Sequence, residues 1–157
     1  MIQIHSDCSF TSEEFEKIAD RIIEKLRQEG MRQTPALREL LAAMLAPHQP
    51  YTLAELCERP GLVNRDQATV YRLIHRLEDV GVVQQVNLGN RGASFQLILP
   101  DHHHDYLHCR SCGLVQEVPI GCLIEKMQKQ LAQEYGWKNL SHSLAFHGEC
   151  PDCTDPA

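Results

Sequence analysis

The stretch "QATVYRLIHRLEDVGVVQQVNLGNRGASFQLILP", residues 67–100, changes its hydrophobic period at Gly81. Before it, Val70, Leu73, Leu77 and Val80 recur at helical spacing, which predicts a helix over about 66–80 with Gly81 as its stop. Thr69, Arg72 and Arg76 fall on another side of that helix. After it, "VVQQVNL" and "ASFQLIL" read as strands joined by "GNRG", a hairpin signal with Arg91 at its tip. Helices followed by such a hairpin spell a winged helix. That architecture sets one helix in the major groove and a basic wing against the backbone, giving Arg72, Arg76 and Arg91 a shared task on DNA.

Upstream the chain is helical. Thr11 and Glu14 form a capping box, and Phe15, Ile18, Ile22, Ile23 and Leu26 keep helical spacing until Gly30. Thr34-Pro35 starts a second helix through "ALRELLAAMLA", closed by Pro47. A second capping box, Thr52 with Glu55, opens the short "LAELCER", which breaks at Pro60-Gly61.

Charge supports this division of labour. The 157 residues carry a net charge of −6, yet residues 32–91 hold seven arginines, no lysine and six acidic residues. Arginine's planar fork suits phosphate and base edges, so an acidic protein still presents one segment fit for nucleic acid. No run approaches eighteen apolar residues, and "MIQIHSDCSF" lacks the basic and apolar regions of a secretory signal, so a cytoplasmic chain with no membrane partner is expected. In a reducing compartment seven cysteines argue for thiolate ligands rather than disulfides.

Pro100 marks a change of composition, which places a winged-helix domain at 1–98, a hinge at 99–101 and a small αβ domain at 102–157, an α+β protein in all. In the second unit "YLHC" and "GLVQEV" read as strands, Cys122 to Tyr135 as a helix and "WKNLSHSLAFHG" as a late strand. "CRSC" and "CPDC" place Cys109, Cys112, Cys150 and Cys153 as two turn-borne pairs able to close a tetrahedron of sulfur around a structural Zn²⁺. A lone redox Cys-x-x-Cys and unrelated thiols are the competing readings. Cys8, Cys57 and Cys122 are read as small packing residues. "HHHD" splits by strand alternation: His103 and Asp105 share a face and form a half-site that Glu125 and His142 complete, a set suited to Fe²⁺, Mn²⁺ or Zn²⁺.

"QATVYRLIHRLEDVGVV", the "HHHD…C-x-x-CG" block, "HSLAFHGEC" and the final Cys-x-x-Cys together resemble the ferric uptake regulator (Fur) family from about residue 18 to 153. The resemblance implies a homodimeric, metal-activated repressor on palindromic double-stranded operators, with the αβ unit as dimerisation domain, and no enzyme activity. It implies that Tyr71 and Arg72 contact the major groove and Arg32 the minor groove. It matches the four cysteines to a structural zinc site and His103, Asp105, Glu125 and His142 to a second site. The family's usual sensing site is eroded here: of its ligands only His104 stands, Gln96 replaces an acid, Tyr106 replaces a histidine, and His48 lies one or two residues from the position of the remaining one. The second site is therefore expected to carry most of the signal, with a sensor rebuilt by His104 and His48 or His102 as the alternative. "TPAL" also replaces the familiar "TPQR". An iron-responsive regulator is the leading expectation. Zinc-, manganese- and peroxide-responsive relatives, and a cysteine redox switch, are the alternatives.

Overall fold

The computed structural model describes residues 4–5, 10–89, 92–99, 104–118, 124–138 and 140–154. Strand β1 is Ile4–His5; helices α1 (Ser12–Gln28) and α2 (Pro35–Leu45) follow, then β2 (Tyr51–Thr52), α3 (Leu53–Cys57) and α4 (Gln67–Asp79). The hairpin is β3 (Val83–Asn87) with β4 (Ala93–Leu97). Beyond it lie β5 (Asp105–Cys109), β6 (Val115–Val118), α5 (Glu125–Tyr135), β7 (Ala145–Gly148) and the single turn α6 (Pro151–Thr154).

The caps act as their sequences dictate. Thr11 Oγ1 accepts from Glu14 N while Glu14 returns a carboxylate to Thr11 N at 2.9 Å, and Thr52 with Glu55 repeats the motif. Thr34 Oγ1 accepts from Leu37 N with Pro35 in the first turn. These fixed starts aim one face of each helix inward, and Ile22, Ile23, Leu26, Leu40, Leu41, Met44, Ile74 and Leu77 join Val83, Phe95 and Leu97 in one core. Leu40, Leu41 and Met44 are 0% exposed. Truncating any of them to alanine removes packing worth about 2–5 kcal/mol. The inward stripe of α4 is Val70, Ile74 and Leu77, whereas Leu73 and Val80 are only partly buried. The helix is thus turned slightly from the expected phase, because its core partners lie on α2, α3 and β3 together.

Three strands, in the order β2-β4-β3, complete the helical unit, all antiparallel, with Tyr51 opposite Phe95 and Gln85 opposite the same residue. The architecture is a winged helix followed by a small second sheet. That sheet runs β1-β6-β5-β7, with β5 antiparallel to β6 and parallel to β7. Two features depart from the sequence reading. Residues 4–5 pair with Val115 and Gln116, so an N-terminal segment edges the C-terminal sheet. The late strand is confined to Ala145–Gly148, and residues 140–144 carry no regular structure.

The two sheets also touch. Val86, at the far end of β3, and Leu88 just beyond it pack with Tyr106, Val115 and Ala145 into a second small core. The wing's root is thereby fixed against the C-terminal sheet.

Candidate metal centre and nucleic-acid interface

Cys109 ends β5, Cys112 comes just before Gly113 in the tight turn that follows, Cys150 precedes the single turn α6 and Cys153 lies within it. Backbone bonds from Gly113 N to Cys109 O (2.9 Å) and from Cys153 N to Cys150 O (2.9 Å) lock both turns. The four sulfurs lie within 4.8 Å of one another, the one such group of three or more potential ligands among the described residues. Cys112 Sγ and Cys150 Sγ are 3.7 Å apart. Two thiolates bound at about 2.3 Å to one tetrahedral ion sit about 3.8 Å apart, so this pair already has the spacing Zn²⁺ needs, and the wider separations, none above 4.8 Å, close by small side-chain adjustments. One of the four thiols is poised to ionise first. Backbone N–H groups of Cys112 and Cys150 pull the Cys109 thiol down to about 6, whereas sharing with Cys150 and Cys112 pushes Cys153 up to about 12. All four positions are occupied by sulfur, so an ion there has no place for substrate.

The other expected ligands are placed differently. His103 lies outside the described residues. Asp105 is buried in β5, Glu125 is exposed and ion-paired to Lys129, which holds its carboxyl below the usual range, and His142 is hydrogen-bonded to Gln128. The three described members of this quartet are not brought together.

His48 and His104, by contrast, meet. His48 Nδ1 lies 3.0 Å from His104 Nε2, and both rings are buried. The far nitrogen of His48 points at Leu97 O (3.0 Å), a carbonyl that only accepts, so Nε2 must carry the proton. The far nitrogen of His104 points at Glu117 Oε1 (2.5 Å), and the carboxylate likewise demands a proton on Nδ1. If both rings are neutral, two lone pairs face each other across 3.0 Å. That repulsion is relieved by a proton or by a cation between them. Gln96, the third member expected here, donates to Tyr106 Oη (2.7 Å), and the Tyr106 ring stacks beside His104 at 6.4 Å, so it sits one residue removed. Glu117 is the residue that sequence reasoning missed. Its signal was alternation: in "VQEV" it shares a strand face with Val115, which is 0% exposed, so its carboxylate is turned inward, and Oε2 is buried without a hydrogen-bond partner.

Within the winged helix, α4 shows Tyr71, Arg72 and Arg76 to solvent, and Thr69 is half-buried with its hydroxyl accepting from Arg72 Nη2 (3.1 Å). Tyr71 is 51% exposed, its ring held edge-on by His75 at 4.2 Å. Arg32 is exposed before α2, and Arg91 lies outside the described residues.

A winged helix joined to a sheet that carries metal-ligating groups is an architecture suited to a metal-dependent DNA-binding regulator. The profile described as "Ferric uptake regulator family" matches residues 28–147. A ferric uptake regulation protein of Campylobacter jejuni is 30% identical over 146 residues, spanning 90% of this chain and 92% of that one. Among solved structures, the Vibrio cholerae ferric uptake regulator is 30% identical with a TM-score of 0.58 over 81% of this chain and 98% of its own. The Helicobacter pylori ferric uptake regulator, a protein with three functional metal binding sites, shares the fold at a TM-score of 0.68 and 20% identity over 96% and 98% of the two chains. The chain belongs to the ferric uptake regulator family, whose members are transcription regulators and not enzymes. No helix among the described residues is long and apolar enough to cross a membrane.

Proposed function

We propose that this protein is a homodimeric, metal-activated repressor of iron-uptake or iron-homeostasis genes in the cytoplasm, and that its regulatory Fe²⁺ binds between His48 and His104. The observation that carries the reading is the facing pair of imidazole nitrogens 3.0 Å apart, each ring oriented by an acceptor at its far side. Metal-bound histidines ordinarily donate their second nitrogen to a carboxylate or carbonyl in this way. Nitrogens at about 2.0–2.1 Å from one ion lie about 2.9–3.4 Å apart, so the pair fits. The buried Glu117 carboxylate is at hand to orient His104 or to ligate. His48 follows α2 and His104 precedes β5, so an ion here ties the winged helix to the C-terminal sheet and sets how two winged helices meet a palindromic operator.

Cys109, Cys112, Cys150 and Cys153 hold a structural Zn²⁺ in this reading. His103, Asp105, Glu125 and His142 form a further divalent site, for Fe²⁺, Mn²⁺ or Zn²⁺, that the metal itself must assemble by drawing Glu125 from Lys129 and His142 from Gln128. Tyr71 and Arg72 read the major groove, Thr69, Arg76 and the wing's Arg91 meet the backbone, and Arg32 enters the minor groove. The second copy covers α5, which buries none of its residues within one chain and exposes Met127, Leu131 and Tyr135 beside Trp137.

The test is operator binding by protein that keeps its cysteine zinc but is stripped of other metal, as Fe²⁺, Mn²⁺ and Zn²⁺ are added in turn. Fe²⁺ should restore binding in the wild type and not in His104→Ala. Equal activation of both proteins would refute this site.

A further inference from the structure

A second facing pair of histidines stands in the C-terminal sheet, outside every ligand set described above. β5 and β7 run parallel with His108 directly opposite His147, so the two imidazoles leave the same face of adjacent hydrogen-bonded strands. Their Nδ1 atoms are 3.1 Å apart, with the ring planes at 76°. Strand alternation sends the neighbouring Cys109 to the opposite face, so this pair is separate from the thiolates. Beside it opens a cavity of about 260 Å³ lined by Asn87, Gly89, His108, Arg110 and His147.

From this juxtaposition we propose that His108 and His147 form an additional binding site for a borderline divalent cation of the Zn²⁺ class, at the seam between the wing and the C-terminal sheet. The separation lies between the values for two nitrogens held at a right angle (about 2.9 Å) and at a tetrahedral angle (about 3.3 Å) on one ion with bonds of about 2.0–2.1 Å. In the metal-free protein one Nδ1 donates its proton to the other; the cation displaces that proton, which passes through solvent to Nε2 of the same ring, so both imidazoles bind the ion as neutral ligands. Imidazole with oxygen donors suits late first-row divalent ions better than Mg²⁺ or Ca²⁺. The cavity supplies the remaining coordination. Asn87 Oδ1 accepts from Gly89 N at 3.0 Å and has a second lone pair, water has room, and Arg110 can balance an anionic ligand such as chloride or hydroxide.

The wing closes the site at very short range. A Cβ at Gly89 would stand 2.6 Å from His108 Cε1 and 2.9 Å from its Nδ1, so only glycine lets the backbone approach, and its φ of +64° is one glycine adopts freely. A cation on His108 and His147 therefore also fixes the root of the hairpin. Its effect on DNA rests on that hairpin being the wing of the proposed repressor, but its existence does not.

The experiment follows ¹⁵N-labelled histidine rings of wild-type protein, retaining its cysteine zinc, as Zn²⁺ is added. His108 and His147 Nδ1 resonances should shift together at one common equivalence point. His147→Ala should take up one Zn²⁺ fewer per chain with its four-cysteine zinc unchanged, and Gly89→Ala should weaken that uptake by roughly 10- to 100-fold. Unshifted His108 and His147 resonances in the wild type at saturating Zn²⁺ would overturn the proposal, whatever the variants do. Because no DNA is present, that result would leave the repressor reading standing.

Discussion

The cysteines and the histidine–carboxylate groups of the same small sheet are prepared for metal in opposite ways. The four sulfurs already stand within 4.8 Å of one another on two locked turns. Asp105, Glu125 and His142 stand apart, and two of them are engaged by Lys129 and Gln128. His48 and His104 are intermediate, touching yet held by Leu97 and Glu117. An ion entering the sulfur cage gains its full binding energy at once. An ion at the quartet must first break existing bonds, and one between His48 and His104 must displace any proton shared there, which lowers affinity and makes occupancy responsive to concentration. Permanence and sensitivity are thus set by how much of each site exists before the metal arrives.

The largest effect tests the permanent end of that comparison. Cys109→Ser or Cys150→Ser should strip the zinc, unfold the C-terminal sheet and abolish the dimer, because zinc binding worth about 10–16 kcal/mol in small structural sites is available only to the folded cage. Metal analysis with sedimentation checks it. A variant that keeps one zinc per chain and stays dimeric would show that the cage does not depend on four sulfurs.

A smaller loss is expected at the responsive end. His104→Ala should shift the Fe²⁺ needed for half-maximal operator binding by at least roughly 100-fold, whereas Glu117→Gln, which keeps a hydrogen-bond acceptor but removes the charge that orients His104, should shift it by about 10-fold. Glu125→Ala should move it less than His104→Ala, since Glu125 spends the metal-free state paired with Lys129. The reverse order, read from the same titration, would move the sensor to the quartet of His103, Asp105, Glu125 and His142.

Much of this contrast could be read from the chain. Cys-x-x-Cys spacing specifies a local turn, and the caps at Thr11, Thr34 and Thr52 stand where the letters place them, because both depend on neighbours within four residues. The meeting of His48 with His104 is legible in the sequence only as one option for rebuilding a sensor, since 56 residues separate them. Ile4–His5 was invisible as a strand because two residues have no period. The His108–His147 pair depends on the register of two parallel strands, which no pattern within either strand encodes. Ile74 replaced Leu73 in the core for a similar reason: both fit a helical stripe, and the partners of α4 choose between them.

The DNA side is different again, because no bond has to be broken before the ligand arrives, and its effects run down to a single phosphate contact. Tyr71, exposed and braced by His75, is set to pack on base edges such as a thymine methyl, so Tyr71→Ala should cost about 1–3 kcal/mol on the operator and leave random DNA unchanged. Arg91→Ala removes a charge from the tip of the wing sequence and should weaken all sequences alike, lowering the slope of log affinity against log salt by roughly one. Fluorescence anisotropy with operator and scrambled duplexes at several salt concentrations measures both. If Tyr71→Ala weakens the two duplexes equally, the helix face is positioning the protein on the backbone, and the reading of bases must come from elsewhere on α4 or from the deformability of the DNA.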